Sequence, residues 1–407
     1  MRSLGVCSEI GLLRKVLVHR PGVGLERVTS KNRDALSFDS VLWVERACEE
    51  HNAFVHLMQQ QDVDVLYLDD LLEQTLGYPD ARDWLLDRRI HPGRLGVDMA
   101  VMLREWLDNL SAHLLVKLLI GGIMLSELPF KPPIANAAIM APDGFVLEPL
   151  PNQMFTQDSS SWIFGGVTLN PLAPQSRLGE GDNIAVIYHF HPSFETEVFK
   201  IWWGHSNDHY GRVGLEGGDV MVAGQGKVIL CANAYNSPHT IAALARSLLS
   251  REAVEEVVVV RLPNLPNHAH FNLAFCLCRK DLALVCPPLL EAGTGFSLRT
   301  DKSGKSLVVS QHEGCVIEIT RRALGVKKLH TIEFDTPGDD NGRWDRGTGV
   351  LVLRPGMVIS FERNAYANAK LRKAGIDVLP LASSELCRSG GGPQRLVCAL
   401  QRDPVND

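Results

Sequence analysis

The segment from Glu216 most constrains the fold. GGDVMVAG, QGK, VILCANAYN, SPHTIAALARSLLSR and VEEVVVVRL read in order as strand, tight turn, strand, Ser-capped helix and strand. Residues 347–382 repeat that order in GTGVLVLR, PGM, VISFERN, AYANAKLRKAG and IDVLPL, with Pro355 and Gly356 in the turn and Gly375 closing the helix. The N-terminal RKVLVHRPG, VERACEEHNAFVHLMQQQ and DVDVLYL form a further copy, with a variable segment in place of one strand. Such units bury their apolar faces on one another, so an α/β ring of them is expected rather than an open doubly wound sheet.

Residues 70–140 break the pattern. DLLEQTLGY, ARDWLLDRRI, VDMAVMLREWLDNL and SAHLLVKLLIGGIML carry helical periodicity and almost no strand signal, which predicts a helical insertion into one domain spanning 1–407. The tail from Ser383, with Gly390, Gly391, Gly392 and Pro393, reads as a segment without a long element, either a loose end or a loop folded back over something.

Of the 407 residues, 45% are apolar and 22% charged, enough to bury a core. Lys and Arg number 41 against 47 Asp and Glu, and no basic run suggests a nucleic-acid partner. Glu9, Arg14 and Lys15 interrupt what would be the apolar centre of an export signal, and the apolar stretch Leu114–Leu125 is short for a bilayer and broken by Lys117. The nine cysteines lack C-x-x-C spacing, with only Cys276 and Cys278 close together, and read as reduced thiols. The expectation is a cytoplasmic protein with no membrane contact.

Four places hold residues suited to chemistry. LEGGD puts Glu216 and Asp219 around a Gly pair at the start of a strand, as a turn of solvated charges or a cation pocket. LPNQMFTQD carries Asn152 in a Pro-Asn turn, then Phe155 and Asp158. NHAHFNLAF offers His268 and His270 on one side of an extended chain; without a third ligand nearby, a structural or acid/base histidine is expected rather than a metal pair. The Gly-rich tail lacks the flanking strand and Lys-Ser/Thr helix of a phosphate cradle. No metal and no cofactor are expected.

In this order these stretches, with LGVCSEIGLLRKVLVHRPG, FDSVLWV, ERNAYANAKLRKAG and the closing GGG…RDP, resemble the arginine deiminases of the guanidine-modifying (amidinotransferase) superfamily. The resemblance runs nearly end to end. It implies a five-bladed α/β propeller with a helical insertion. It also implies a small amino-acid-like substrate, a homo-oligomer, Asp158 and Glu216 as guanidinium-binding carboxylates, His270 as acid/base, and Arg177 as an arginine that helps hold the substrate's carboxylate. By the same resemblance Asn152, Phe155, Asp219 and Asn272 fall in the substrate-binding stretches.

The departures carry as much information. Aligned on the Gly run and on Arg402, Asp403 and Pro404, the family's nucleophilic cysteine falls at Arg395, whose guanidinium stays protonated and cannot attack carbon. Asn272 stands in place of a second guanidinium-binding aspartate, Tyr235 and Gly390 in place of arginines, and Gln157 in place of the arginine beside Asp158. Cys398 has its own matching slot in an apolar run and reads as a packed thiol.

Three functions follow. The first is a repurposed enzyme using Asp158, Glu216 and His270 for acid/base chemistry on an amine- or guanidine-bearing molecule, with Arg395 binding substrate. The second is a catalytically inactive binding or regulatory protein with Arg395 in the guanidinium site. Ordinary deimination through Cys398 ranks last.

Overall fold

The computed structural model describes residues 4–38, 40–172, 174–195, 199–204, 214–233, 236–262, 270–301, 303, 306–334 and 349–405. Five units share one grammar, an antiparallel strand pair whose second strand is joined through a helix to a parallel third. In the unit predicted from Glu216, Val220–Gly224 pairs antiparallel with Lys227–Ala232, which pairs parallel with Glu256–Arg261. Its helix Pro238–Ser250 starts where the Ser237 hydroxyl accepts the Thr240 N–H, and it buries Ile241, Leu244, Ala245, Leu248 and Leu249 along one stripe. In the unit predicted over 347–382, Leu351–Arg354, Met357–Phe361 and Asp377–Leu381 repeat the pairing around helix Ala365–Lys373.

Two further units complete the ring: Ser160–Ile163, Gly166–Leu169 and Lys200–Trp203, then Phe275–Arg279, Leu282–Val285 and His330–Glu333. The fold is a five-bladed α/β propeller. One decoration sits on it: the hairpin Thr294–Thr300 with Leu307–His312 emerges from one unit and extends the sheet of another by pairing with Glu256–Arg261.

The N-terminal unit corrects the reading of the tail. Its missing strand comes from the far end of the chain, where Cys398–Arg402 pairs antiparallel with Leu13–Val18 and parallel with Gly5–Val6, while Leu13–Val18 pairs parallel with Asp64–Tyr67. The tail is therefore neither loose nor a mere flap; it closes the ring. The helical stretch begins at Leu68 and continues through Pro79–Arg89, Pro92–Leu95 and Val97–Asp108 to Gly121, after which Ile123–Met124 pairs with Phe145–Leu147. Among the described residues no helix is long and apolar enough to cross a membrane.

Leu400 in the closing strand is fully buried. Leu400→Ala is expected to cost about 2–5 kcal/mol, read from the shift of a denaturant-unfolding midpoint. A change within a few tenths of a kcal/mol would show that ring closure through the tail contributes nothing to the fold.

Candidate functional site

Four of the first strands, those starting at Ser160, Val220, Phe275 and Cys398, are entered through a short helical turn, and these turns meet. Thr156–Ser159 packs against both Gly217–Asp219 and Pro393–Leu396, and Phe271–Ala274 packs against Gly217–Asp219. Glycine makes the approach feasible: a Cβ on Gly217 would lie 1.9 Å from the Gln157 carbonyl oxygen. These turns bring Asp158, Glu216, Asp219, His270 and Arg395 together, and Arg177 joins them from just before helix Leu178–Phe190.

Asp158 lies at the centre and is fully buried. Arg395 Nη2 donates to its Oδ2 at 2.5 Å and Nε reaches Oδ1 at 3.4 Å, a forked contact, while Arg177 Nη2 donates to the same Oδ2 at 3.0 Å. Burial opposes the negative charge, but Arg395 and then Arg177 outweigh it and hold the carboxyl down at about 2. The Arg395 guanidinium carbon lies 4.2 Å from the Phe155 ring centre, and Nη1 donates to the Gly390 carbonyl at 3.0 Å. The Gly run makes room for this side chain, because a Cβ on Gly391 would lie 2.7 Å from Arg395 Cδ.

Glu216 is held by other partners. His270 Nε2 is 3.1 Å from Glu216 Oε2 and His270 Nδ1 is 3.0 Å from Asp219 Oδ2, so each ring nitrogen faces a carboxylate and both carry protons. Burial alone would lower the His270 pKa; Asp219 and Glu216 overcome it and push it up to about 10. Burial likewise opposes charge on Glu216, yet His270 holds its pKa below the ordinary range. Asp219 is fixed by Asn233 and Asn236, whose Nδ2 atoms donate to Oδ2 at 2.7 and 2.9 Å, and by the Phe271 N–H donating to Oδ1 at 2.9 Å.

Arg177 faces the protein's own carboxylates. Nε and Nη2 each donate to Glu180 at 2.9 Å, and Nη1 stands 3.7 Å from Glu216 Oε2. Glu180 is a member of the cluster that sequence reasoning missed, although its spacing of three from Arg177 on a helix was the available signal. Asn152 points away from the cluster, donating to the carbonyls of Leu36 and Ser37 at 2.9 and 3.2 Å. Asn272 donates to Gln157 Oε1 at 2.8 Å. Tyr235 and His268 lie outside the described residues, among which no group of three His, Cys, Asp or Glu is arranged to hold a metal.

Cys398 is turned toward Ser160: its Sγ is 3.3 Å from the Ser160 hydroxyl and 3.5 Å from the Ser160 carbonyl. Burial pushes its pKa up to about 11, leaving it a protonated thiol at neutral pH.

The His270 shift predicts the pH dependence of stability. Below pH 6.5 the imidazolium exists in folded and unfolded chains alike and its ion pairs contribute in full. Between 6.5 and about 10 the unfolded chain has released a proton that the folded one retains, so stability falls as pH rises. The thermal midpoint of the wild type is expected to fall more steeply over that window than that of His270→Gln. Parallel curves for the two proteins would refute the assignment of a charged, doubly paired imidazole.

Comparison with known proteins agrees with this architecture. The fold is similar to that of a mutant DDAH from Pseudomonas aeruginosa complexed with citrulline, with a TM-score of 0.51 and 13% identity over 95% of this chain and 99% of that one. It is similar to SxtG, an amidinotransferase from Microseira wollei in the saxitoxin biosynthetic pathway, at 0.53 and 12% identity over 99% of both chains. It is also similar to the N-terminal domain of ArgZ, a cyanobacterial arginine dihydrolase bound to product, at 0.52 and 14% identity over 95% and 97%. At such identities the likeness establishes the fold alone, whereas the family assignment comes from sequence. The pattern described as arginine deiminase matches residues 34–402, and the chain belongs to that family.

Proposed function

We propose that this chain is a non-catalytic member of the family, serving in binding or regulation, with its guanidinium site occupied by its own Arg395. The observation that carries the reading is the forked contact of Arg395 with Asp158, made by a side chain only 7% exposed. A free guanidine would have to displace a covalently tethered one from the same carboxylate, against the tether's high effective concentration. Glu216 offers no second opening, since it is held between His270 and Arg177. A protonated His270 cannot remove a proton at neutral pH, and the thiol that would form a covalent intermediate falls at Arg395 in the alignment.

One feature favours the repurposed enzyme as a second reading: His270, charged and bracketed by carboxylates, is placed as a general acid. That reading requires a substrate that brings its own nucleophile and does not need the Asp158 carboxylate. Citrulline in DDAH and product in ArgZ are bound by proteins of this fold, so an amino-acid-like ligand remains the class to test on this chain.

The purified protein is expected to form no citrulline from L-arginine, and Arg395→Cys is expected not to restore full activity, because Asn272 still lacks the charge of the family's aspartate. Robust citrulline formation abolished by Cys398→Ala would refute the proposal. Arg395→Ala should lower stability by no more than the roughly 3–5 kcal/mol typical of breaking a buried ion pair, because Arg177 still compensates Asp158. An unchanged unfolding midpoint would mean that Arg395 does not occupy the site in solution.

A further inference from the structure

A second, chemically different space adjoins the charged cluster. It is a cavity of about 80 Å³, and Trp162, Val222, Leu277, Val352 and Cys398 all line it. These five come one from the first strand of each unit, so the cavity lies on the propeller axis. Asp158, Glu216, His270 and Arg395 do not line it. Its charged lining residues are Glu9 and Arg402, of opposite sign, and the Arg402 guanidinium donates to the Gly11 carbonyl at 2.9 Å.

The polar lining beside the charged cluster includes Ser160, Ser161 and three carboxamides brought from three parts of the chain: Gln157, Asn272 and Gln394. Asn272 donates its amide N–H to Gln157, and its buried Oδ1 has no hydrogen-bond partner among the described residues. Gln394 is 7% exposed, and neither its Nε2 nor its Oε1 has a hydrogen-bond partner among the described residues. Buried unpaired amide atoms are costly, and a cavity of this size holds several waters or a ligand head group of a few heavy atoms. One unpaired donor with two unpaired acceptors complements a planar group that itself offers both a carbonyl and an NH2.

We propose that this axial cavity takes the neutral carboxamide or ureido head group of a small molecule and rejects the isosteric cation. The inference rests on the reading above, in which Arg395 and Arg177 keep Asp158 paired; the charged residues that do line the cavity, Glu9 and Arg402, are opposite in sign and sum to zero. A cation here would meet a lining of zero net charge, which does not replace its hydration, and the chain position next to Gln394 is the cationic Arg395.

Acetamide and acetamidinium, equal in shape and different in charge, are the probes, read by saturation-transfer NMR on the ligand methyl group with the full-length protein. Wild type is expected to show transfer to acetamide and none to acetamidinium. Asn272→Ala and Gln394→Ala should each weaken acetamide binding about tenfold. Should Gln394→Ala fail to fold, near-isosteric Asn272→Asp makes the comparison by shifting preference toward acetamidinium. No transfer to acetamide, equal transfer to both probes, or acetamide binding unaffected by both alanine variants would overturn the proposal. Arg395→Ala separates the two ideas. If it gains acetamidinium binding while wild type ignores acetamide, only this inference fails. If it gains none while wild type binds acetamide, the reading of Arg395 as site occupant fails.

Discussion

Asp158 is a buried carboxylate that the fold cannot leave alone, and two guanidinium groups on one oxygen meet that demand. The consequences reach both ends of the chain. Arg395 stands on the turn leading into the strand Cys398–Arg402, so pairing it with Asp158 anchors the segment that closes the ring beside Leu13–Val18. Thr156, two residues from Asp158, adds a second tie: its hydroxyl is 2.9 Å from the Leu17 carbonyl and 3.2 Å from that of Leu396. Ring closure and charge compensation therefore meet in one place.

The repeat explains why the charged residues converge. Turns at equivalent positions before the first strands point toward the same end of the axis, so Asp158, Glu216, His270 and Arg395, far apart in sequence, become neighbours. Their charges arrange themselves in two linked sets: Asp158 with Arg395 and Arg177, and Glu216 with Asp219 around His270. Arg177 links the sets, reaching toward Glu216 while bonded to Asp158 and Glu180.

Much of this was legible where local chemistry is strong. The units at 216–261 and 347–382 announce themselves through glycine turns and one-sided helices, and the structure repeats them closely. The unit at 160–203 does not, because Asn183 through Tyr188 are all buried in its helix, leaving no polar face to mark a helical period. The unit at 275–333 is hidden for another reason: the hairpin Thr294–His312 interrupts it and pairs elsewhere. Arg395 was visible as a charge in the wrong place. Which carboxylate it would bond was not, because that depends on the path of the Gly390–Gly392 backbone. Glu180 carried one local signal, its spacing of three from Arg177, while Gln394 carried none, because an amide in a tail says nothing until its burial is known.

Counting charge connects the unusual residues. As aligned to the family pattern, Arg395 exchanges a thiol for a cation and Asn272 exchanges a carboxylate for a neutral amide. Each of these two changes adds one positive unit, whereas Gln157, Tyr235 and Gly390, which stand in place of arginines, each remove one. Either substitution alone would weaken attraction for a guanidinium ligand; together they replace the ligand's charge and also remove the second carboxylate that would have held it. In a buried region, where charge is poorly screened, such changes reinforce one another. On the proposed reading, Arg395 supplies from within the chain the charge that a guanidinium ligand would bring to Asp158, and Gln157 and Asn272 join amide to amide beside it.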